Sequence, residues 1–325
     1  MIANHVYELV TDDVFLRLSD LLPACEVFVK LEALNPAGSI KLKPAVALIE
    51  DAERRGLLRP GGRVAESSSG NFGIALAVVC AAKGYRFTCV TDPNAADYSV
   101  TVMRALGAEV VVVDQRDANG GFLATRIAHL NRMLAADPAL VWPNQYANPA
   151  NPRVHWMRTA AAILAELAAV DFLFVGAGTT GTLMGCAGYF RRFSPRTRIV
   201  AVDTVGSVTF GNPAGPRFIP GLGTSRVPEI CRSDDLDEIV LVHEADAVRM
   251  CRTLAARYGL LAGGSTGSVL SAVVAKRAEI PPGARIATIS PDLGEKYLAT
   301  VYDDAWVASR FSPELLSQRD LVGTA

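Results

Sequence analysis

Short runs rich in β-branched and aromatic residues alternate along the chain with longer alanine- and leucine-rich stretches whose apolar positions recur at helical spacing. The runs fall at residues 27–31, 63–65, 87–91, 110–113, 172–175, 199–202, 239–242 and 286–289. This alternation predicts β-α units around mostly parallel sheets, because parallel neighbours need a crossover and a helix supplies it. Helix ends are punctuated. Residues 44–55 open on Pro44 and stop before Gly56, and residues 71–83 stop before Gly84, as expected of proline in a first turn and glycine past an end. Pro149 and Pro152 interrupt helix and sheet ladder alike, so a domain boundary is expected near residue 150. The polar stretch 312–325 is expected to be a loosely ordered tail.

Composition narrows the partners. A chain of 325 residues suffices for two domains. Half of it is hydrophobic and a fifth charged, with 33 acids nearly cancelling 32 bases, which argues against disorder and against an extended nucleic-acid surface. Residues 1–10 carry no basic segment leading an apolar core, and no run approaches the roughly 20 apolar residues of a membrane span. The expectation is a cytoplasmic protein, bound to neither nucleic acid nor membrane, that meets small molecules or a second copy of itself. The six cysteines are scattered, mostly in apolar stretches, with no C-x-x-C pair, and read as small buried hydrophobes. The four histidines have no ligand spacing either, and no metal is expected.

Four segments carry candidate chemistry. Gly176 to Thr182 (Gly-Ala-Gly-Thr-Thr-Gly-Thr) follows an apolar strand and opens a helical run. Glycines admit an anion close to the backbone, and helix-end N–H groups bind it. The same glycines fit G-x-G-x-x-G with Asp203 about 20 residues further on, the dinucleotide fingerprint, so the motif alone predicts a phosphate without saying whose. Asn35-Pro36-Ala37-Gly38-Ser39-Ile40-Lys41 puts Lys41 just ahead of a helix, where the positive helix end and partial burial favour a neutral amine; Lys43 is a rival. Glu66-Ser67-Ser68-Ser69-Gly70-Asn71 makes a hydroxyl-rich helix start suited to a carboxylate, although on its own a serine-rich N-cap is the commoner explanation. Gly263 to Ser268 is a similar turn.

In this order the segments resemble the cysteine synthase and cystathionine β-synthase family of fold-type II pyridoxal-phosphate enzymes. The resemblance implies two three-layer α/β/α domains with mostly parallel sheets, one spanning 37–149 and the other 6–36 with 150–311, and a mobile part at about 85–130. It implies that Lys41 carries pyridoxal 5'-phosphate as a Schiff base and moves the substrate's α-proton. It implies that Gly178, Thr179, Thr180, Gly181 and Thr182 hold the phosphate, and that Ser265 partners the pyridine nitrogen. It implies further that Asn71 touches the ring oxygen and that Ser67, Ser68, Ser69, Gly70 and Gln145 bind the substrate carboxylate. Leu42 and Lys43 stand where the family usually has aspartate and arginine, and Thr180 where cysteine synthases have glycine.

Residues 120–128, 144–148, 206–211, 225–230 and 263–268 resemble one branch in particular, whose synthases serve siderophore and related natural-product biosynthesis. Ordinary cysteine synthases lack several of these features. That branch joins O-phospho-L-serine and L-glutamate by β-replacement, releasing phosphate and giving N-(2-amino-2-carboxyethyl)-L-glutamate, a precursor of L-2,3-diaminopropionate. It implies a homodimer, with Arg126 and Tyr146 meeting the anionic substrates. Within the family the rival is a cysteine synthase that uses sulfide with O-acetylserine or O-phosphoserine. Outside it, the glycine fingerprint admits a nicotinamide-dependent dehydrogenase.

Overall fold

Each apolar run is a strand in the computed structural model, which describes residues 2–117 and 121–312. The strands are β1 (Phe15–Arg17), β2 (Glu26–Leu31), β3 (Arg63–Ser67), β4 (Arg86–Thr91), β5 (Glu109–Val112), β6 (Leu140–Val141), β7 (Phe172–Gly176), β8 (Arg198–Thr204), β9 (Glu238–Val242) and β10 (Arg285–Ser290). They form two sheets, of order β5-β4-β3-β6 and β1-β2-β10-β7-β8-β9. All pairs are parallel except β1 with β2. Two strands lay outside the sequence reading, because β1 and β6 are too short to show a pattern.

By internal contacts the chain divides into two compact units, one of Met1–Thr11 with Leu34–Asn151 and the other of Asp12–Ala33 with Pro152–Ala325. The first holds the four-stranded sheet, and its core gathers Leu48, Ile49, Val64, Leu76, Phe87 and Met103. The helix Asn71–Lys83 is buried along Phe72 to Cys80, as its apolar character on every face requires. It ends with Gly84 at φ 72, where the Tyr85 N–H reaches Cys80 O at 2.8 Å and satisfies a terminal carbonyl. The helix predicted from Pro44 begins earlier, as Leu42–Arg54, because a first-turn proline lacks only an N–H that would have no intrahelical acceptor. Tyr7 and Val10 pack against this core too.

The second unit holds the six-stranded sheet, with Val29, Phe174, Val202, Leu254, Val269 and Ile286 in its core. In both sheets the candidate loops leave the carboxyl ends of strands, after Ser67 of β3 and Gly176 of β7, where open parallel sheets bind ligands. Among the described residues no helix is long and apolar enough to cross a membrane. Residues 313–325 of the expected tail, and Gly120, lie outside the described residues.

Candidate functional site

In the first unit, Asn35 builds the turn that presents Lys41. Asn35 Oδ1 accepts from the Ala37 N–H at 3.0 Å and its Nδ2 donates to Ser39 O at 2.9 Å. Gly38 supplies the left-handed residue the turn needs, at φ 60. Lys41 thereby becomes the N-cap of Leu42–Arg54, half-buried at the positive end of that helix. Lys43, its rival in the sequence, is only 2 % exposed.

The loop after β3 is organised by its second serine. Ser68 Oγ accepts from the N–H groups of Gly70 at 3.3 Å and Gly73 at 3.0 Å, so it caps the helix that follows. The Ser67 hydroxyl is buried and bonds to no protein group among the described residues. Ser69, Gly70 and Asn71 are half-buried beside it.

Under this loop lies a carboxylate that the sequence reading gave no role. Glu66 Oε1 accepts from the Ser67 N–H at 2.9 Å and from Trp142 Nε1 at 2.8 Å, and Oε2 accepts from the Gln145 N–H at 3.4 Å. Burial pushes its carboxyl up to about 7, against the opposing pull of these bonds and one from the Asn144 backbone. The Gln145 turn is held from its other side by Asn151 Nδ2, which donates to Gln145 O at 2.7 Å. Gln145 is buried and Tyr146 half-buried. Asn144 takes a left-handed φ of 51, a conformation asparagine tolerates better than most residues.

Arg126, on the helix Leu123–Ala136, is buried and pairs with Asp92 Oδ2 at 3.1 Å. Its guanidinium is therefore already engaged by a carboxylate of the same unit.

In the second unit, the glycine-rich loop leaves β7 and enters the helix Gly181–Phe193. A Cβ on Gly178 would stand 2.9 Å from Gly221 O, so two glycine loops meet where no side chain fits. Thr180 caps the helix at φ 64, where a β-branched residue is strained. Glycine would adopt this backbone without strain. Thr179, Thr180 and Gly181 are buried, Gly178 and Thr182 half-buried. Thr182 Oγ1 lies 3.3 Å from His155 Nε2, and His155 Nδ1 lies 3.1 Å from Thr159 Oγ1.

Ser265 lies in the first turn of the helix Gly264–Ala275. Its hydroxyl is buried without a hydrogen-bond partner among the described residues, and a Cβ on Gly221 would come within 3.5 Å of it. Asp203, which completes the dinucleotide fingerprint, is fully buried, with Oδ1 accepting from the Thr204 N–H at 2.8 Å. Burial pushes its carboxyl up. A sealed, hydrogen-bonded acid is not presented to a ribose.

The structure therefore brings together Ser67 to Asn71 with Gln145 in one unit, and the threonine loop with the Gly221 turn and Ser265 in the other. Sequence reasoning missed Glu66, Trp142 and His155. The one signal available was an acid directly after the apolar pair Val64–Ala65; the burial of His155 at the start of the π-helical stretch His155–Ala160, a geometry frequent at functional sites, shows only in the fold.

The model of the family described as "Pyridoxal-phosphate dependent enzyme" matches residues 15–292. A protein of Ralstonia nicotianae named N-(2-amino-2-carboxyethyl)-L-glutamate synthase is 45% identical over 311 residues, covering 95% of this chain and 92% of its own. One of the same name from Cupriavidus metallidurans is 44% identical over 314 residues, with the same coverage of both chains. Among solved structures, an O-ureido-L-serine synthase superimposes with a TM-score of 0.87 at 33% identity, covering 95% of this chain and 100% of its own. A hydrogen sulfide-producing enzyme from Fusobacterium nucleatum has a TM-score of 0.85 at 31% identity, covering 91% and 100%.

Proposed function

Because the chain belongs to the family of pyridoxal-phosphate dependent enzymes, we propose that it joins O-phospho-L-serine and L-glutamate into N-(2-amino-2-carboxyethyl)-L-glutamate and phosphate. The Cβ–O bond to phosphate breaks and a Cβ–N bond to the glutamate amine forms. The observation that carries this reading is near-full-length similarity, at 45% and 44% identity, to two synthases of that product. The residues present fit the cofactor: the second unit has a buried hydroxyl at Ser265 without a partner among the described residues, and a threonine-rich loop at a helix start, two of the contacts a phosphorylated pyridine needs.

Bound pyridoxal phosphate supplies an electron sink for the substrate α-carbon. Lys41 Nζ would hold the cofactor, take the α-proton and return it. Gly178, Thr179, Thr180, Gly181 and Thr182 would bind the cofactor phosphate, Ser265 the ring nitrogen and Asn71 the ring oxygen. Ser67, Ser68, Ser69, Gly70 and Gln145 would orient the donor's carboxylate, while Arg126 and Tyr146 meet the second substrate. The same reading assigns a cytoplasmic homodimer, movement of residues 85–130 on substrate binding, and service to a 2,3-diaminopropionate pathway such as siderophore assembly.

The purified protein is expected to be yellow, and borohydride reduction should fix the cofactor to the peptide containing Lys41. O-phospho-L-serine should shift the visible band, and L-glutamate should restore it. A colourless protein, or label on another lysine, overturns the assignment.

A further inference from the structure

We propose that Glu66 is a positioning residue for the amino-acid donor, its carboxylate tying the Asn144–Gln145 turn to the end of β3 so that Gln145 and the Ser67–Asn71 loop meet one substrate carboxylate. This rests on the reading of those two segments given above.

The position itself asks for no acid. Val64 and Ala65 precede it in β3 as fully buried apolar residues, and a buried ion is generally no better for folding than a well-packed apolar side chain. Glu66 is nonetheless 1 % exposed. Its oxygens are occupied by N–H donors from the two segments in question: Ser67 at the root of the serine loop, and Trp142 and Gln145 from the turn after β6. An ionised carboxylate accepts at both oxygens and donates at neither, so one side chain spans two segments that lie far apart in sequence. The turn it holds includes left-handed Asn144, and Asn151 grips only its far side. Gln145 and Ser67 thus keep a fixed spacing through one buried group.

The charged and titratable groups facing Glu66 are few. Cys89 is opposite it on β4, and burial pushes that thiol up to about 12. Arg126, on the helix Leu123–Ala136, acts on Cys89 and is paired with Asp92. The turn after β6 contributes only the neutral Trp142, Asn144 and Gln145. Glu66 is therefore the member of this group that changes charge near neutrality, with burial holding its carboxyl at about 7.

Glu66→Gln keeps the size but turns an amide N–H₂ toward N–H donors, so at least one donor loses its acceptor. The probe is L-serine, which has the donor's α-carboxylate and no phosphate to titrate. Its binding is followed by the visible band of the cofactor-loaded protein. At pH 8 the half-saturating L-serine concentration should rise at least about tenfold in Glu66→Gln, the scale of a lost charge-assisted hydrogen bond, with cofactor content unchanged. Protonation of the serine α-amine raises it in both proteins as pH falls from 8 to 6, and the rise should be steeper in the wild type, where Glu66 also takes up a proton. Trp142 emission should titrate near pH 7 in the wild type and lose that transition in Glu66→Gln. If Glu66→Gln does not fold, Trp142→Phe removes one donor from the other side and should raise half-saturation at least about threefold. Half-saturation within twofold of wild type in the folded variant, or the same pH slope in Glu66→Gln as in the wild type, overturns the proposal. Because L-serine is the probe, failure of the phosphoserine–glutamate reading leaves this result interpretable.

Discussion

Arg126 and Asp92 form an ion pair at 3.1 Å inside the first unit, the residues being 9 % and 6 % exposed. Taking away either partner strands a buried charge. Arg126→Met and Asp92→Asn are each expected to cost about 3 kcal/mol of stability, and the double variant Asp92→Asn/Arg126→Met to recover most of it. A double-mutant cycle in urea checks this, and additive losses would contradict the coupling. The proposed role of Arg126 in meeting L-glutamate predicts that Asp92→Asn lowers KM for L-glutamate and Arg126→Met raises it, since Asp92 would compete for the same guanidinium.

Thr180, with its left-handed φ of 64, carries strain that glycine would relieve. Thr180→Gly is expected to stabilise the cofactor-free protein by about 1 kcal/mol and to weaken pyridoxal-phosphate binding several-fold through loss of the hydroxyl. Chemical denaturation and cofactor titration measure the two effects separately. Lower stability without cofactor would mean that the threonine is not strained.

Glu66 makes a pH prediction with a definite sign. Its carboxyl is raised from the ordinary 4.5 to about 7 in the fold, so between those values the folded chain keeps a proton that the unfolded chain has released. Stability therefore falls as pH rises through this window, by about 3 kcal/mol in total for this one group. Asp203 and Glu244, also raised by burial, act in the same direction, so the difference between wild type and Glu66→Gln isolates the contribution. Urea midpoints at pH 5.5 and 7.5, followed by Trp142 emission, should show a steeper decline in the wild type. Equal declines would place the titration elsewhere.

Much of the fold is legible in one dimension. Strands buried on both faces are written as continuous apolar runs such as Phe172 to Val175, and Gly84 marks a helix end. Glycines likewise announce the close backbone approach of Gly178 to Gly221, since such a contact admits few other residues. Glu66 was not legible as a tie between loops, because its partners Trp142 and Gln145 lie 76 and 79 residues away. Nor was the strain at Thr180, because threonine at a helix start ordinarily reads as a relaxed cap. His155 is one letter inside a helix, and only the fold sets it beside Thr182. The pairing of Arg126 with Asp92 also depends on a helix packing beside β4, which spacing along the chain does not disclose.

The central claim is tested most directly by identifying the product when the cofactor-loaded protein receives O-phospho-L-serine with L-glutamate and sulfide together. Mass spectrometry should find N-(2-amino-2-carboxyethyl)-L-glutamate and stoichiometric phosphate, with Lys41→Ala forming neither. Cysteine as the sole product, with glutamate never incorporated, would contradict the account.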